Sequence, residues 1–215
     1  MFGEVDIGSV VQGIVLSAPA ILFGLTIHEF SHGWVAWRLG DPTARMLGRL
    51  TLNPLRHLDP VGTVALFLFR FGWAKPVPID PRNFNHPARD MALSSLAGPG
   101  ANLLTAAAAG LVIRILLLFD VSGFALTVAE YFLFFNLILC FFNLIPIPPL
   151  DGSRLLYYFL PTGLAAGYAR LERYGFMILI GVIFLGQLTG ISILWLYMTP
   201  LIRFFSRLFA GTPFI

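Results

Sequence analysis

Charged residues are scarce in this chain, since they make up 12% of its 215 residues, against roughly 25% in an average soluble domain. Hydrophobic residues instead reach 57%. A water-soluble fold, a disordered chain and a coiled coil are therefore excluded, because each needs a more polar composition or a heptad pattern. The composition indicates a polytopic membrane protein, which we interpret as a single domain over residues 1–215.

Cysteine and runs of basic residues are also nearly missing. The single Cys140 excludes an internal disulfide, and its place in an apolar run favours a packing role. The net charge is +3, but no five or six basic residues stand together, which argues against nucleic acid as a partner. The partner that this composition indicates is the lipid bilayer.

Long apolar runs are what the sequence does have. A run needs roughly 20 residues to cross the hydrocarbon core of a bilayer, and candidates lie at about 8–38, 91–119, 124–148 and 174–210. The last contains Gly186 and Gly190, so it is either a helical hairpin or one interrupted helix. We predict an all-α bundle of about four to six transmembrane helices, with a core at about 8–160 and a C-terminal helical region at about 174–210.

Residues 39–90, between the first two runs, are rich in proline and in basic side chains. The prolines prevent a continuous helix, so we predict a loop with short extended segments. Its apolar piece at 61–71 is short for a spanning helix. Residues 38–90 hold eight basic and four acidic side chains, and the positive-inside rule then places the loop in the cytoplasm, in what we expect to be a prokaryotic cell membrane.

Two of the 4 histidines stand in His28-Glu29-Phe30-Ser31-His32, inside the first apolar run. Histidines at i and i+4 project from one face of a helix and suit two nitrogen ligands of a tetrahedral zinc. Glu29 lies beside them, where it can take a proton from a water that the zinc activates. Chance would give only about 0.001 such matches in a chain of this composition.

A catalytic zinc usually has a third protein ligand, and two carboxylates are candidates. Asp151 follows a Pro-rich break at the end of an apolar run, and a broken helix inside a membrane is tolerated where it lines a water-filled cavity. It could instead be the N-cap of the helix that begins beside it. Glu130 is the second candidate, near the opposite end of the same run.

With these residues in view, the chain resembles the site-2 proteases, which are intramembrane zinc metalloproteases, and among them a compact member without a PDZ or CBS domain. The resemblance rests on HEFSH at 28–32, GWAKPVP at 72–78, LAGPGAN at 96–102 and NLIPIPPLDG at 143–152. It implies that His28, His32 and Asp151 are the zinc ligands and that Glu29 is the catalytic acid/base. Gly100 departs from the pattern, because such proteins often carry Leu or Phe there.

Two intramembrane amides, Asn102 and Asn143, fit a proteolytic site. Either could hydrogen-bond a substrate backbone or a developing oxyanion. The alternative is that they join helices, as amides commonly do in membranes.

The sequence thus predicts an intramembrane endopeptidase with one zinc per chain that acts on single-pass membrane proteins. The alternative function is a membrane metal transporter that uses the same His, Glu and Asp side chains as a transport site. Transporters usually show internal repeats and several paired sets of intramembrane charges, and neither is visible in the sequence.

Overall fold

The computed structural model describes residues 7–69 and 72–211, and within these ranges the chain is helical, without β-strands. The helices are α1 (Ile7–Arg38), α2 (Thr43–Met46), α3 (Pro60–Phe69), α4 (Pro87–Leu118), α5 (Phe124–Asn143), α6 (Asp151–Phe159), α7 (Thr162–Ala169), α8 (Gly175–Thr189) and α9 (Ile193–Ala210). Short 3₁₀ turns lie at Pro54–Arg56, Pro81–Asn83 and Glu172–Tyr174.

Five helical stretches of the described chain are long and apolar enough to cross a membrane. They are Gly13–Arg38, Pro87–Leu118, Phe124–Asn143, Thr162–Thr189 and Ile193–Ala210. The predicted all-α bundle of about four to six transmembrane helices is therefore confirmed. The region at 174–210, which the sequence left undecided, contains two helices. Helix α8 ends at Thr189, and the next residue, Gly190, caps it in a left-handed conformation with a φ of 71°.

The loop between α1 and α4 contains more helix than its prolines suggest. Pro54, Pro60, Pro81 and Pro87 each begin a helical segment. Proline suits this position because its φ is already near the helical value and a first-turn N–H has no partner within the helix. These prolines therefore begin short helical segments, and they also prevent one long helix across the loop.

The rest of this loop consists of extended backbone and one short helix. Residues 72–80 contain no helix, and an isolated antiparallel bridge joins Leu58 to Ala74. The apolar piece predicted at 61–71 belongs to α3 up to residue 69, while residues 70 and 71 lie outside the described residues. The 10 residues of α3 measure about 15 Å, half of what a spanning helix needs.

Helix α4 is central to the bundle and packs against α1, α5, α6 and α9. Helix α5 contacts α1 and α9 as well. The interface of α4 and α5 with α9 is apolar, and its buried side chains include Ala106, Ile113, Leu133, Leu137, Met198 and Ile202. The opposite interface, with α1, contains the buried polar side chains that form the site.

Candidate metal centre

Helix α1 carries the histidine pair in the middle of the bundle. His28 and His32 are one turn apart on the same face, and both are buried. Their ring centroids lie 4.5 Å apart, with the ring planes nearly perpendicular. The pair faces α4, whose Gly98 lies against both rings.

Asp151 reaches the histidines through the Pro-rich turn that follows α5. Its Oδ2 lies 3.1 Å from Nε2 of His28 and 3.2 Å from Nε2 of His32. Asp151 is the first residue of α6, and the N-cap position is taken by Leu150. The carboxylate therefore faces the histidines, and the alternative role of an N-cap does not describe its position.

Gly152 makes this approach of α6 possible. A Cβ at residue 152 would collide with the backbone carbonyl of Leu144 and would lie 2.8 Å from the carbonyl oxygen of Ile145. The start of α6 thus packs directly on the backbone at the end of α5. Only glycine allows this contact without a backbone shift. Asp151 is therefore the candidate ligand, and Gly152 allows the packing that places it beside the histidines.

The second ring nitrogen of each histidine faces an acceptor on α4. Nδ1 of His32 lies 2.6 Å from the backbone carbonyl oxygen of Ser94, and Nδ1 of His28 lies 2.6 Å from Oδ1 of Asn102. A carbonyl oxygen can only accept, so each ring must donate its Nδ1–H. In the neutral imidazole this leaves the Nε2 lone pair directed toward Asp151 and the other histidine.

These three residues have the donor chemistry and the space that a zinc ion needs. Two imidazole nitrogens and one carboxylate oxygen lie within 4.8 Å of one another, and this set of ligands is typical of catalytic zinc with an open fourth position. The space beside the nitrogens depends on Gly98, because a Cβ there would collide with Nε2 of His32 and lie 2.7 Å from Nε2 of His28. The residues therefore fit a bound zinc.

Glu29 is half-buried and touches the loop between α1 and α4. Its Oε2 accepts a hydrogen bond of 2.7 Å from the backbone N–H of Val77, in the GWAKPVP segment. The segment that the sequence singled out at 72–78 thus contacts the predicted acid/base directly.

Asp41 anchors this loop to the end of α1. The carboxylate is buried and accepts hydrogen bonds of 2.8 Å from the N–H of Asp80 and 2.7 Å from the side chain of Asn83. Burial raises the pKa of Asp41, but hydrogen bonds from Thr43, Asn83 and Asp80 outweigh that effect and hold the pKa below its usual value. An ionised Asp41 therefore fixes the segment after Val77 against α1.

The two predicted asparagines differ in their surroundings. Asn102 is fully buried, and its amide is engaged by His28, by the carbonyl of Gly24 and by Asn136. Asn143 is half-buried and donates 2.9 Å to the carbonyl of Leu139 in its own helix. A substrate contact by either amide stays a prediction.

Sequence reasoning missed Gly98 and Asn136. Gly98 belongs to the LAGPGAN motif, but its closeness to the imidazoles depends on how two separate helices cross. Asn136 is a fully buried amide in an apolar helix, and an isolated polar side chain inside a membrane helix is itself a signal of function. Glu130, the second candidate for the third ligand, lies outside the group formed by His28, His32 and Asp151.

Comparison with known proteins identifies relatives of this chain. Peptidase family M50 matches residues 120–186. "Putative zinc metalloprotease YwhC" of Bacillus subtilis is 36% identical over 199 residues, which cover 88% of this chain and 90% of that protein. "Putative zinc metalloprotease Rip2" of Mycolicibacterium smegmatis is 32% identical over 183 residues, covering 80% and 68%. "Stage IV sporulation protein FB" of Bacillus subtilis is 32% identical over 142 residues, covering 62% and 47%. No solved structure matched the chain.

The extent of the first similarity is enough to define the family. The chain belongs to peptidase family M50, the site-2 proteases. It is a zinc metalloprotease and a multi-pass integral membrane protein.

Proposed function

We propose that this protein hydrolyses peptide bonds within the transmembrane segments of single-pass membrane proteins, with one zinc ion per chain held by His28, His32 and Asp151. The observation that carries the proposal is the position of these three residues: His28 and His32 lie on a helix long enough to cross a bilayer, and Asp151 meets them from the start of α6. His28 and His32 are 10 and 6 residues from the end of α1 at Arg38, or about 15 and 9 Å along its axis.

The bond to be cut lies in a helix, where the carbonyl already accepts a backbone hydrogen bond. A substrate must therefore unwind locally before its carbonyl can react. Residues 72–80 supply a segment without helix beside Glu29, and an extended segment can pair with an unwound strand through backbone hydrogen bonds. Asn143 is the amide that we propose for contact with the substrate backbone.

A zinc ion held by His28, His32 and Asp151 would supply Lewis acidity, which would lower the pKa of water and polarise a carbonyl. Glu29 moves the proton. The N–H of Val77 engages Oε2, so Oε1 is the oxygen that we assign to take a proton from water and to return it to the leaving amine. The half-buried position of Glu29 keeps this carboxylate close to the ligands and reachable by water.

The decisive experiment uses purified protein in lipid nanodiscs and a panel of single-pass helices, with the Glu29→Gln variant. Glutamine keeps the size of the side chain but cannot accept the proton, so we expect cleavage to fall by about 10²–10⁴-fold while zinc stays bound. Glu130→Gln is the matched control, because Glu130 is also half-buried in a membrane helix and lies outside the ligand group. Turnover by Glu29→Gln near the wild-type rate, or cleavage confined to soluble regions of the substrates, would contradict the proposal.

We also propose that the loop at 39–90 faces the cytoplasm, as its excess of basic residues indicates. Single cysteines placed at positions 56 and 80 should both react with an impermeant thiol reagent from the cytoplasmic side. Labelling of the two positions from opposite sides, in active protein, would refute this orientation.

A further inference from the structure

Two fully buried asparagines connect the interior of the bundle to His28. Nδ2 of Asn102, on α4, lies 2.9 Å from Oδ1 of Asn136, on α5. Oδ1 of Asn102 lies 2.6 Å from Nδ1 of His28, on α1. A continuous chain of hydrogen bonds therefore crosses three helices and ends on one of the proposed zinc ligands.

Backbone carbonyls fix the orientation of both amides. Asn102 directs Nδ2 to the carbonyl oxygen of Gly24 at 2.9 Å, and Asn136 directs Nδ2 to the carbonyl oxygen of Phe132 at 2.8 Å. Because a carbonyl oxygen cannot donate, the amide atom that faces it must be nitrogen. The other atom of each amide is then oxygen, and the chain runs in one direction only, with Asn136 accepting from Asn102 and Asn102 accepting from His28.

We propose that Asn136 and Asn102 are positioning residues that hold His28 in the Nδ1–H form, with its Nε2 lone pair aimed at the metal. The proposal rests on the function proposed above, since it gives these residues a role in zinc binding. Asn102 acts on the ring directly, whereas Asn136 acts through Asn102 by occupying one of its two N–H groups. Outer partners of this kind typically change metal affinity 10–100-fold when they are removed.

The two histidines depend on different kinds of partner. His32 donates to the backbone carbonyl of Ser94, which no side-chain substitution removes. His28 depends on two side chains, and Gly24 provides the room for them, because a Cβ at residue 24 would lie 3.0 Å from Oδ1 of Asn136 and 2.7 Å from Cδ1 of Leu139. The orientation of His28 is therefore the one that mutations of side chains can break.

The simpler interpretation is that the amides only join α1, α4 and α5, as amides between membrane helices often do. The two interpretations differ in what they predict for the stability of the bundle and for the affinity for zinc. Joining helices affects the stability of the bundle, whereas positioning His28 affects the tautomer of one ring and the affinity for zinc at unchanged fold.

The test measures the zinc dissociation constant of the full chain in nanodiscs, by competition with a chelator of known affinity. We expect Asn102→Ala to bind zinc about 10–100-fold more weakly and Asn136→Leu up to about tenfold more weakly. Asn136→Ser covers the case in which the leucine variant fails to fold, because serine can still bond the carbonyl of Phe132 in its own helix but is too short to reach Asn102. Thr105→Val is the matched control, since Thr105 is a half-buried polar residue of α4 whose hydroxyl donates to the carbonyl of Ala101 in its own helix.

A second measurement separates positioning from structure. In zinc-saturated protein labelled with 15N-histidine, the Nδ1–H proton of His28 should exchange slowly with solvent in the wild type and faster in Asn102→Ala, because Asn102 accepts this proton. The melting temperature of Asn102→Ala should be near that of Thr105→Val. Wild-type zinc affinity in both Asn102→Ala and the Asn136 variants, or an equal loss in Thr105→Val, would overturn the inference. If the wild type itself binds no zinc, that result contradicts the proposed function, on which this inference rests.

Discussion

Helices α4 and α5 have two faces that are held in different ways. Toward α1 the contact includes oriented hydrogen bonds among His28, Asn102 and Asn136, beside apolar packing such as that of Phe23 on Phe132. Toward α9 it is apolar, with buried alanine, leucine and isoleucine side chains. In lipid an apolar contact gains little from the hydrophobic effect and depends on close packing, whereas a buried polar group requires a particular partner.

This difference separates stability from function within one pair of helices. The face toward α1 contacts the proposed zinc ligand His28, so substitutions there should change metal binding before they change the fold. The face toward α9 lies away from the ligands, so substitutions there should lower the stability of the bundle and leave the zinc affinity of folded protein unchanged. The following predictions test this separation, from the largest expected effect to the smallest.

The largest effect is expected from Gly98→Ala. The new methyl group would collide with Nε2 of His32 and lie 2.7 Å from Nε2 of His28, in the space that the metal needs. We expect zinc affinity to fall by at least about 10²-fold and cleavage with it. Gly100→Ala is the matched control, two residues along the same helix, where the described part of the chain leaves open space. Equal zinc content in the two variants would contradict the site geometry.

A smaller effect, of a different kind, is expected from Gly110→Ala on the α9 face. Its Cβ would lie 2.5 Å from Cβ of Phe209, and overpacking of this kind costs about 1–3 kcal/mol. Thermal unfolding should therefore occur at a lower temperature, with unchanged zinc affinity in the folded protein. Gly181→Ala, where the described residues leave open space, should not be destabilised. Loss of zinc affinity in Gly110→Ala would show that the two faces are not separate.

The smallest effect is expected from Arg114→Gln. Arg114 donates to the carbonyls of Phe209 and Leu208 at 2.5 and 2.8 Å, so its charge lies at the C-terminus of α9. Such a cation stabilises a helix by about 0.3–1 kcal/mol. A small decrease in melting temperature should follow, and Arg114→Lys should recover part of it because the charge remains. An unchanged melting temperature in Arg114→Gln would show that the contact does not stabilise α9.

Local patterns in the sequence were sufficient to predict the candidate ligands that lie on one helix or beside one break in a helix. The spacing of His28 and His32 determines their shared face, and the prolines before Asp151 mark where the chain leaves its helix. The pairing of Asn102 with Asn136 was not predictable, because it depends on which faces of α4 and α5 meet. The same holds for Gly98, whose importance comes from the distance between α1 and α4.

The fold shows the same limit. The apolar runs predicted the spanning helices, but composition did not decide between one helix and two at 174–210, where a single residue with positive φ, Gly190, makes the turn. The prolines of the loop at 39–90 were interpreted only as breaks. Four of them begin helical segments, because the constraint that interrupts a helix in its middle favours one at its start.

The central claim is that two histidines and one aspartate hold zinc inside the bundle, and X-ray absorption at the zinc edge tests it most directly. In purified wild-type protein we predict one zinc per chain, with two imidazole nitrogens and carboxylate oxygen at about 2.0–2.2 Å. Asp151→Ala should lose the carboxylate contribution or most of the metal. A sulfur ligand at about 2.3 Å, fewer than two imidazoles, or an unchanged spectrum in Asp151→Ala would contradict the account.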